Sequence, residues 1–426
     1  MSPSSAFVGR PLAALAALCA VLYVAAAHAA EPLSLDEAVG LAIAQDPGIP
    51  ELKAESQAAS DQAVSAGQWP DPKVSLGLVN LPANSYAVGK DSMTMQMIGV
   101  EQDFPAGDTR SLSNTRGQQL AGAQAALVRD RKLQVARDAR QAWLRFYYAE
   151  HELPLVQQSE QAFQQLLEAA KSRYANGQGG EQDLARAELE LGELQERELE
   201  LNADVDSAKA GLAKLVGSEA AERPLADALP ALPAPPEQAA LLERLPQHPR
   251  IVAANAEVAA ADTATDIAKQ SYKPSWGVSL DYGHRPGVDA AGMRYTNMLT
   301  AMVSFSVPLF TGNRQDRTVS AAEAASNADR YAVDDALRDM KQMLDESWAH
   351  WQHLGHVREL YAKSILPSAG LNTEATLSAY RNGDADFDEL ARAQVADLDS
   401  HMQQLKADTD YLSMQADLLY LAGEQP

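Results

Sequence analysis

The chain has one cysteine in 426 residues, Cys19, and it lies in the N-terminal segment. Beyond that segment no thiol exists, which excludes disulfides, thiolate metal sites and a cysteine nucleophile. Aromatic residues make up 6%, too few for one thick globular core. Basic residues are scarce: 35 Lys and Arg stand against 58 Asp and Glu, a formal charge of −23. Phosphate binding needs clustered positive charge, so nucleic acid is excluded as a partner and cations are the natural guests. After the leader, no apolar run reaches the ~18 residues of a membrane-spanning helix. Catalytic signatures are absent as well. There is no His-Glu-x-x-His, no Gly-x-Ser-x-Gly and no P-loop, and Gly99 and Gly107 form no nucleotide loop. The chain therefore reads as a non-enzyme without a cofactor.

What is present starts with a leader. Arg10, an apolar run from Leu12 to Ala27 and the small-residue site Ala27-His28-Ala29 form an export signal over 1–29. The mature chain is expected to begin near Ala30. Lipidation at Cys19 is the alternative, but Ala16-Ala17-Leu18 departs from the small-residue pattern that precedes a lipidated cysteine.

An internal repeat dominates the rest. Asp46-Pro47 recurs as His248-Pro249, Trp143 as Trp348, and Tyr174-Ala175-Asn176-Gly177 as Tyr380-Arg381-Asn382-Gly383. Leu184-Ala185-Arg186-Ala187 recurs unchanged as Leu390-Ala391-Arg392-Ala393. The order holds while the offset drifts only from 202 to 206. The spacing predicts two structural repeats, 30–217 and 237–426. Prolines 224, 230, 233, 235 and 236 mark 218–236 as an extended linker.

Each repeat opens with a helix; Ser34-Leu35-Asp36-Glu37 forms a capping box for the first. Two alternating runs follow, predicting hairpins near 72–105 and 274–308. Trp276, Val278, Leu280 and Tyr282 alternate with Gly277, Ser279, Asp281 and Gly283. Leu299, Ala301, Val303 and Phe305 do the same against Thr300, Met302 and Ser304. In the first repeat Val74, Leu76 and Leu78, then Met93, Met95 and Met97, take the apolar positions. From Asp108 to Asn176 the only proline is Pro154, so a helix there approaches ~100 Å at 1.5 Å per residue. Leu184, Ala187, Leu191, Leu194 and Leu201, and in the second repeat Val395, Leu398, Met402, Leu405 and Leu412, hold coiled-coil spacing. The fold class is thus mainly α, with long antiparallel coiled-coil helices and four strands per chain. Four strands cannot close a barrel alone. Strands apolar on one face and polar on the other fit a barrel shared between copies of the chain, with the helices forming a second, α-helical tube.

These residues resemble the TolC-like outer-membrane efflux proteins over essentially the whole mature length. The match rests on Leu33-Ser34-Leu35-Asp36-Glu37-Ala38, the paired hairpins, Val307-Pro308-Leu309-Phe310-Thr311-Gly312-Asn313 and the Tyr-x-Asn-Gly turns. Trp69-Pro70-Asp71-Pro72 and the stretch from Met93 to Pro105 are most similar to the heavy-metal-efflux branch. The resemblance implies a homotrimer supplying twelve strands to an outer-membrane barrel in contact with lipid, above a periplasmic α-barrel. It also implies docking to a periplasmic adaptor and to an inner-membrane pump of the resistance-nodulation-division type. The function implied is a passive exit duct, first for heavy-metal cations, otherwise for drugs, solvents or secreted protein. A periplasmic coiled-coil scaffold that never enters the membrane is the competing reading.

In relatives the Tyr-x-Asn-Gly turns and the following helix starts form the periplasmic aperture. The matching positions are Tyr380, Gly383, Asp384, Asp386, Asp388 and Glu389, with Tyr174, Gly177, Glu181 and Asp183 in the first repeat. Threefold symmetry would turn these acids into rings that favour cations; helix N-capping is their ordinary use. The basic residue often found after the turn glycine is replaced here by Asp384-Ala385-Asp386. Met93, Met95 and Met97 are expected on one strand face as a lipid-facing or packed stripe, the alternative being a thioether site for Cu(I) or Ag(I). His350, His353 and His356 recur at helical spacing and are expected on a solvated face, the alternative being a divalent metal site.

Overall fold

The computed structural model describes residues 31–177 and 179–423; the expected leader lies outside them. The first repeat runs α1 (Leu35–Gln45), α2 (Gly48–Ala66), β1 (Lys73–Val79), β2 (Met95–Phe104), α3 (Thr109–Ala175) and α4 (Glu181–Val216). A short α5 (Ser218–Ala221) opens the joint. The second repeat runs α6 (Gln238–Arg244), a 3-10 turn, α7 (Pro249–Gln270), β3 (Trp276–His284), β4 (Met298–Phe305), α8 (Gln315–Leu360), α9 (Leu366–Asn382) and α10 (Phe387–Ala422).

Helix α3 has 67 residues, which gives the ~100 Å read from its lack of breakers. Its counterpart is split between α8 and α9 by a π turn, Tyr361–Ile365. Pro367 explains the turn. It has no N–H for the carbonyl of Lys363, and its ring would collide with that carbonyl in a regular helix. One wider turn removes the clash. Pro154 in α3, whose counterpart by the repeat offset is residue 359–360 and not Pro367, is absorbed inside the helix.

The helices α2, α4, α7 and α10 pack along α3, and α8 packs on α7 and α10. The coiled-coil stripe is buried as expected: Ala187, Leu194, Leu201, Ala208 and Leu212 from α4, and Leu398, Met402 and Leu412 from α10. Three apolar clusters form along the bundle. One centres on Trp143 under α1. One lies at the tip around Phe163 and Phe387. The third joins Ile251, Met340, Leu344 and Leu418.

Two expectations need correction. The Ser34 hydroxyl caps α1 by accepting from Glu37 N–H at 3.2 Å. The reciprocal half of the box is missing, because the Glu37 carboxylate is drawn to the Arg223 guanidinium at 2.6 and 2.9 Å. The segment 218–236 is also no free spacer. After α5 it lies against the helices: Leu225 is buried and bridges to Leu33, and Asp227 and Leu232 carbonyls accept from Tyr147 and Gln415 at 2.8 and 3.1 Å.

The repeated helix starts use different chemistry. Asp46 Oδ1 caps α2 by accepting from Ile49 N–H at 3.0 Å, and its carboxylate holds Arg131 in a two-point pair at 2.6 and 3.1 Å. That pair holds Asp46 below the usual carboxylate range. At the matching place His248 is buried; its Nδ1 accepts from Arg250 N–H at 3.3 Å and its Nε2 donates to the Tyr420 carbonyl at 3.0 Å. Burial pushes the His248 pKa down, with Arg250 adding to the effect, while Asp130, 3.9 Å from Nδ1, opposes it. The folded imidazole is therefore neutral where the unfolded one, near 6.5, begins to take a proton. The unfolded state binds more protons below that pH, so this contribution is complete above about pH 6.5 and is lost as pH falls toward the folded pKa. His248→Gln should flatten the dependence of the melting temperature on pH below about 6.5. An unchanged slope would assign it to another group.

Candidate functional site: the sheet faces and the helical tip

The two predicted hairpins are zipped into one antiparallel sheet, β1-β2-β3-β4, by pairing of β2 with β3. Val74, Val100, Leu280 and Ala301 stand in one cross-strand row, and Leu76, Ile98, Tyr282 and Leu299 in the next. This face is apolar and bare: Leu76 is 78% exposed and Phe305 70%. Soluble proteins rarely leave a continuous apolar patch of this kind open. At the helix end of the sheet Phe104 stacks on Trp276 at 5.0 Å and meets Trp69 edge-on at 5.1 Å. Arg110 lies over the Trp69 ring at 3.3 Å. Half-exposed indoles beside an arginine suit a lipid–water boundary.

The opposite face is polar, with Ser75, Glu101, Asp103, Ser279 and Asp281; Lys73 pairs with Asp103 at 2.6 Å. Gly99 leaves room for its neighbours here: a Cβ would lie 2.1 Å from Asp281 Oδ1 and 2.7 Å from Ser75 Oγ, and those side chains would have to turn aside. Met95 and Met97 also lie on this face, opposite Val79 and Gly77. Met95 and Met97 thus share one strand face as expected, but it is the polar face and not the apolar one. The lipid-type face of β2 is carried by Ile98 and Val100, and Met93 precedes the strand in a loop. Alternation in β2 alone fits either assignment; pairing with β1 and β3 decides it.

At the far end, α3 turns into α4 and α9 into α10. Gly177 and Gly383 both adopt left-handed φ, +71° and +83°, the conformation that ends a helix and that a side chain disfavours. Asp384 N–H completes the second turn by donating to the Ala379 carbonyl at 2.9 Å. Asp386 and Glu389 form a complete capping box for α10: Asp386 Oδ1 accepts from Glu389 N–H at 2.8 Å and Glu389 accepts from Asp386 N–H at 3.4 Å. Asp388 pairs with Arg392 at 2.9 Å and lies 3.8 Å from Arg186. Glu181 and Asp183 sit in the first turn of α4. Among the described residues Asp384, Glu181 and Asp183 have no ion pair. The structure thus divides the six acids among the ten expected positions into capping, neutralised and open charge.

The two tyrosines separate as well. Tyr380 is buried against Phe387, with Arg173 over its ring at 4.8 Å, whereas Tyr174 is half exposed. Sequence reasoning missed Arg186 and Arg392. They place positive charge in the second turn of α4 and of α10, beside Asp388. The signal was present in the repeated Leu-Ala-Arg-Ala. His350, His353 and His356 are exposed on α8, and no cluster of His, Cys, Asp or Glu able to hold a metal occurs among the described residues.

A sheet with one lipid-type face on a bundle ~100 Å long matches one known group. The family model for outer membrane efflux proteins matches residues 38–218 and 241–424. The chain belongs to this family. One matched segment lies in each half of the chain. Among curated proteins, the outer membrane efflux protein BepC of Brucella suis is 24% identical over 208 residues, 49% of this chain and 45% of BepC. The chain thus spans less than half of that relative's length. Among solved structures, the outer membrane protein VceC of Vibrio cholerae superposes with a TM-score of 0.77 at 16% identity, covering 91% of this chain and 96% of VceC. CusC gives 0.74 at 14%, covering 92% of each chain. The open-state MtrE outer membrane channel of Neisseria gonorrhoeae gives 0.73 at 18%, covering 92% and 89%. These likenesses establish the fold of the efflux protein: a helical bundle carrying a four-stranded contribution to a β-barrel.

Proposed function

We propose that this efflux protein is one subunit of a trimeric outer-membrane exit duct, with heavy-metal cations as its cargo. The observation that carries the reading is the sheet: one face apolar and bare, the other polar, and both outer strands, β1 and β4, with an unpaired edge. Unpaired edges in a membrane must be closed by other strands. Two copies would give eight strands, whose interior side chains already fill. Three copies give twelve and leave a lumen. The polar sheet face then lines that lumen, and the tips carrying Asp384, Glu181 and Asp183 ring its far end. Open acids there favour cations over anions. A periplasmic adaptor and an inner-membrane pump of the resistance-nodulation-division type would complete the path and supply the energy.

The test is single-channel recording of the purified protein in a planar bilayer, with the reversal potential read in a salt gradient. Cation-selective steps are expected. The combined substitution of Asp384→Asn, Glu181→Gln and Asp183→Asn should move the reversal potential toward zero, while Asp386 and Glu389, tied up as a cap, should matter less. A protein that stays soluble without detergent and gives no steps would leave the scaffold reading in place. Steps that are equally permeable to organic cations and metals would transfer the cargo to drugs.

A further inference from the structure

The methionines of the sheet have no part in forming the barrel wall toward lipid. Six of the chain's eleven, Met93, Met95, Met97, Met293, Met298 and Met302, lie in the strands and the loops between them. Register brings three of them together. Met97 in β2, Gly283 in β3 and Met298 in β4 occupy one cross-strand row, on the polar face. Strands in a sheet are ~4.8 Å apart, so Met97 and Met298 flank Gly283 at about 10 Å between backbones. Glycine leaves the space between them empty of side chain. Met95, one pleat further along β2, fills it: its Sδ lies 2.8 Å from where a Cβ on Gly283 would be. One thioether is thus already seated over the glycine, with two more long, flexible side chains beside it.

We propose that Met95, Met97 and Met298 form a thioether site over Gly283 for a soft monovalent cation, Cu(I) or Ag(I). Neutral sulfur donors select such ions over Zn²⁺, which prefers imidazole, thiolate or carboxylate. The surroundings suit a cation. Asp281 lies on the same face two residues from Gly283, and Glu101 lies further along β2. Arg285, two residues beyond Gly283 in the chain, is directed to the Ser92 carbonyl and over the Tyr295 ring at 4.9 Å. Packing alone would account for Met95 over a glycine; it does not require sulfur at all three positions. Leucine fills nearly the same volume as methionine, so substitution separates the two roles.

The experiment is titration of the detergent-purified full chain with silver nitrate in chloride-free buffer, followed calorimetrically, with X-ray absorption at the silver edge. Saturable binding of one Ag(I) per chain with a sulfur-only shell is expected. Met95→Leu, Met97→Leu and Met298→Leu should each weaken binding by about tenfold or more, equivalent to ~1.4 kcal/mol. Met302→Leu, also on the polar face but near Ser279, should leave it unchanged, as should Zn²⁺ competition. The proposal is overturned if the triple leucine variant binds silver as the wild type does, if the wild type shows no saturable binding, or if its silver shell is oxygen and nitrogen. The last two are read on unmodified protein and do not depend on any variant folding. Binding is also read without transport: a conducting duct that binds no silver defeats only this site, and a silver-binding chain that never conducts defeats only the duct.

Discussion

Replacing Trp143 by alanine should destabilise the helical bundle by about 3–5 kcal/mol, the range for emptying a fully buried aromatic site. Trp143 has no exposed surface. It stacks on Tyr147 at 5.3 Å, and its Nε1 donates to the Leu33 carbonyl at 3.0 Å. Leu33 in turn donates its N–H to the Pro224 carbonyl at 2.8 Å, so one indole ties together α3, the segment leading into α1 and the joint between the repeats. Truncation leaves a cavity in the largest cluster and an unpaired carbonyl. Trp143→Phe keeps most of the volume and loses only the hydrogen bond, so its cost should be about 1–2 kcal/mol. Thermal unfolding followed by near-ultraviolet circular dichroism orders the three proteins. Equal melting temperatures for Trp143→Ala and wild type would show that this cluster does not hold the bundle together.

The second large effect is expected from a residue with no side chain. Helices α2 and α3 cross at Gly117, where a Cβ would lie 2.5 Å from the Ala63 Cβ and 2.6 Å from its Cα. The obstacle is backbone, which cannot turn aside. The crossing is fastened on its sheet side by Asn114 donating to the Ala63 carbonyl at 2.8 Å and Arg110 donating to the Gly67 carbonyl at 3.2 Å. Gly117→Leu must push the helices apart and break these bonds. Overpacking of this kind costs about 1–3 kcal/mol and sometimes more. The damage should travel, because α2 leads through Trp69 into β1. We expect Gly117→Leu to lower the melting temperature and to increase amide exchange in Val64–Gln68 and in β1, with little change at the tip. Exchange confined to residue 117's own turn would show that the crossing yields locally.

The site was legible in parts. The tip turns announced themselves through Asn-Gly, because left-handed φ at a helix end is a property of one residue. Which acids remain open there was not legible. Asp386 and Glu389 are consumed by each other, a local pattern that can be read from their spacing. Asp388 is neutralised in part by Arg186, 202 residues away in the chain, and no local rule finds such a partner. Tyr174 and Tyr380 look equivalent in the repeat, yet only Tyr380 meets an aromatic at the start of the next helix, Phe387, where the first repeat has Glu181.

By itself the sequence determined the duplication, the long uninterrupted helix α3, the coiled-coil stripes and the alternating faces of β3 and β4. All of these are periodicities, set by backbone geometry over a few residues. Only the tertiary structure decided the rest: the union of two hairpins in one sheet, the seating of 218–236 against the core and the face taken by Met95 and Met97. In β2 the run Met95-Gln96-Met97-Ile98-Gly99-Val100 carries apolar residues in both phases. A single strand cannot choose between them. Pairing with Val74 and Leu76 on one side and Leu280 and Tyr282 on the other fixes the phase, because a shift of one residue would bring polar side chains onto the apolar face.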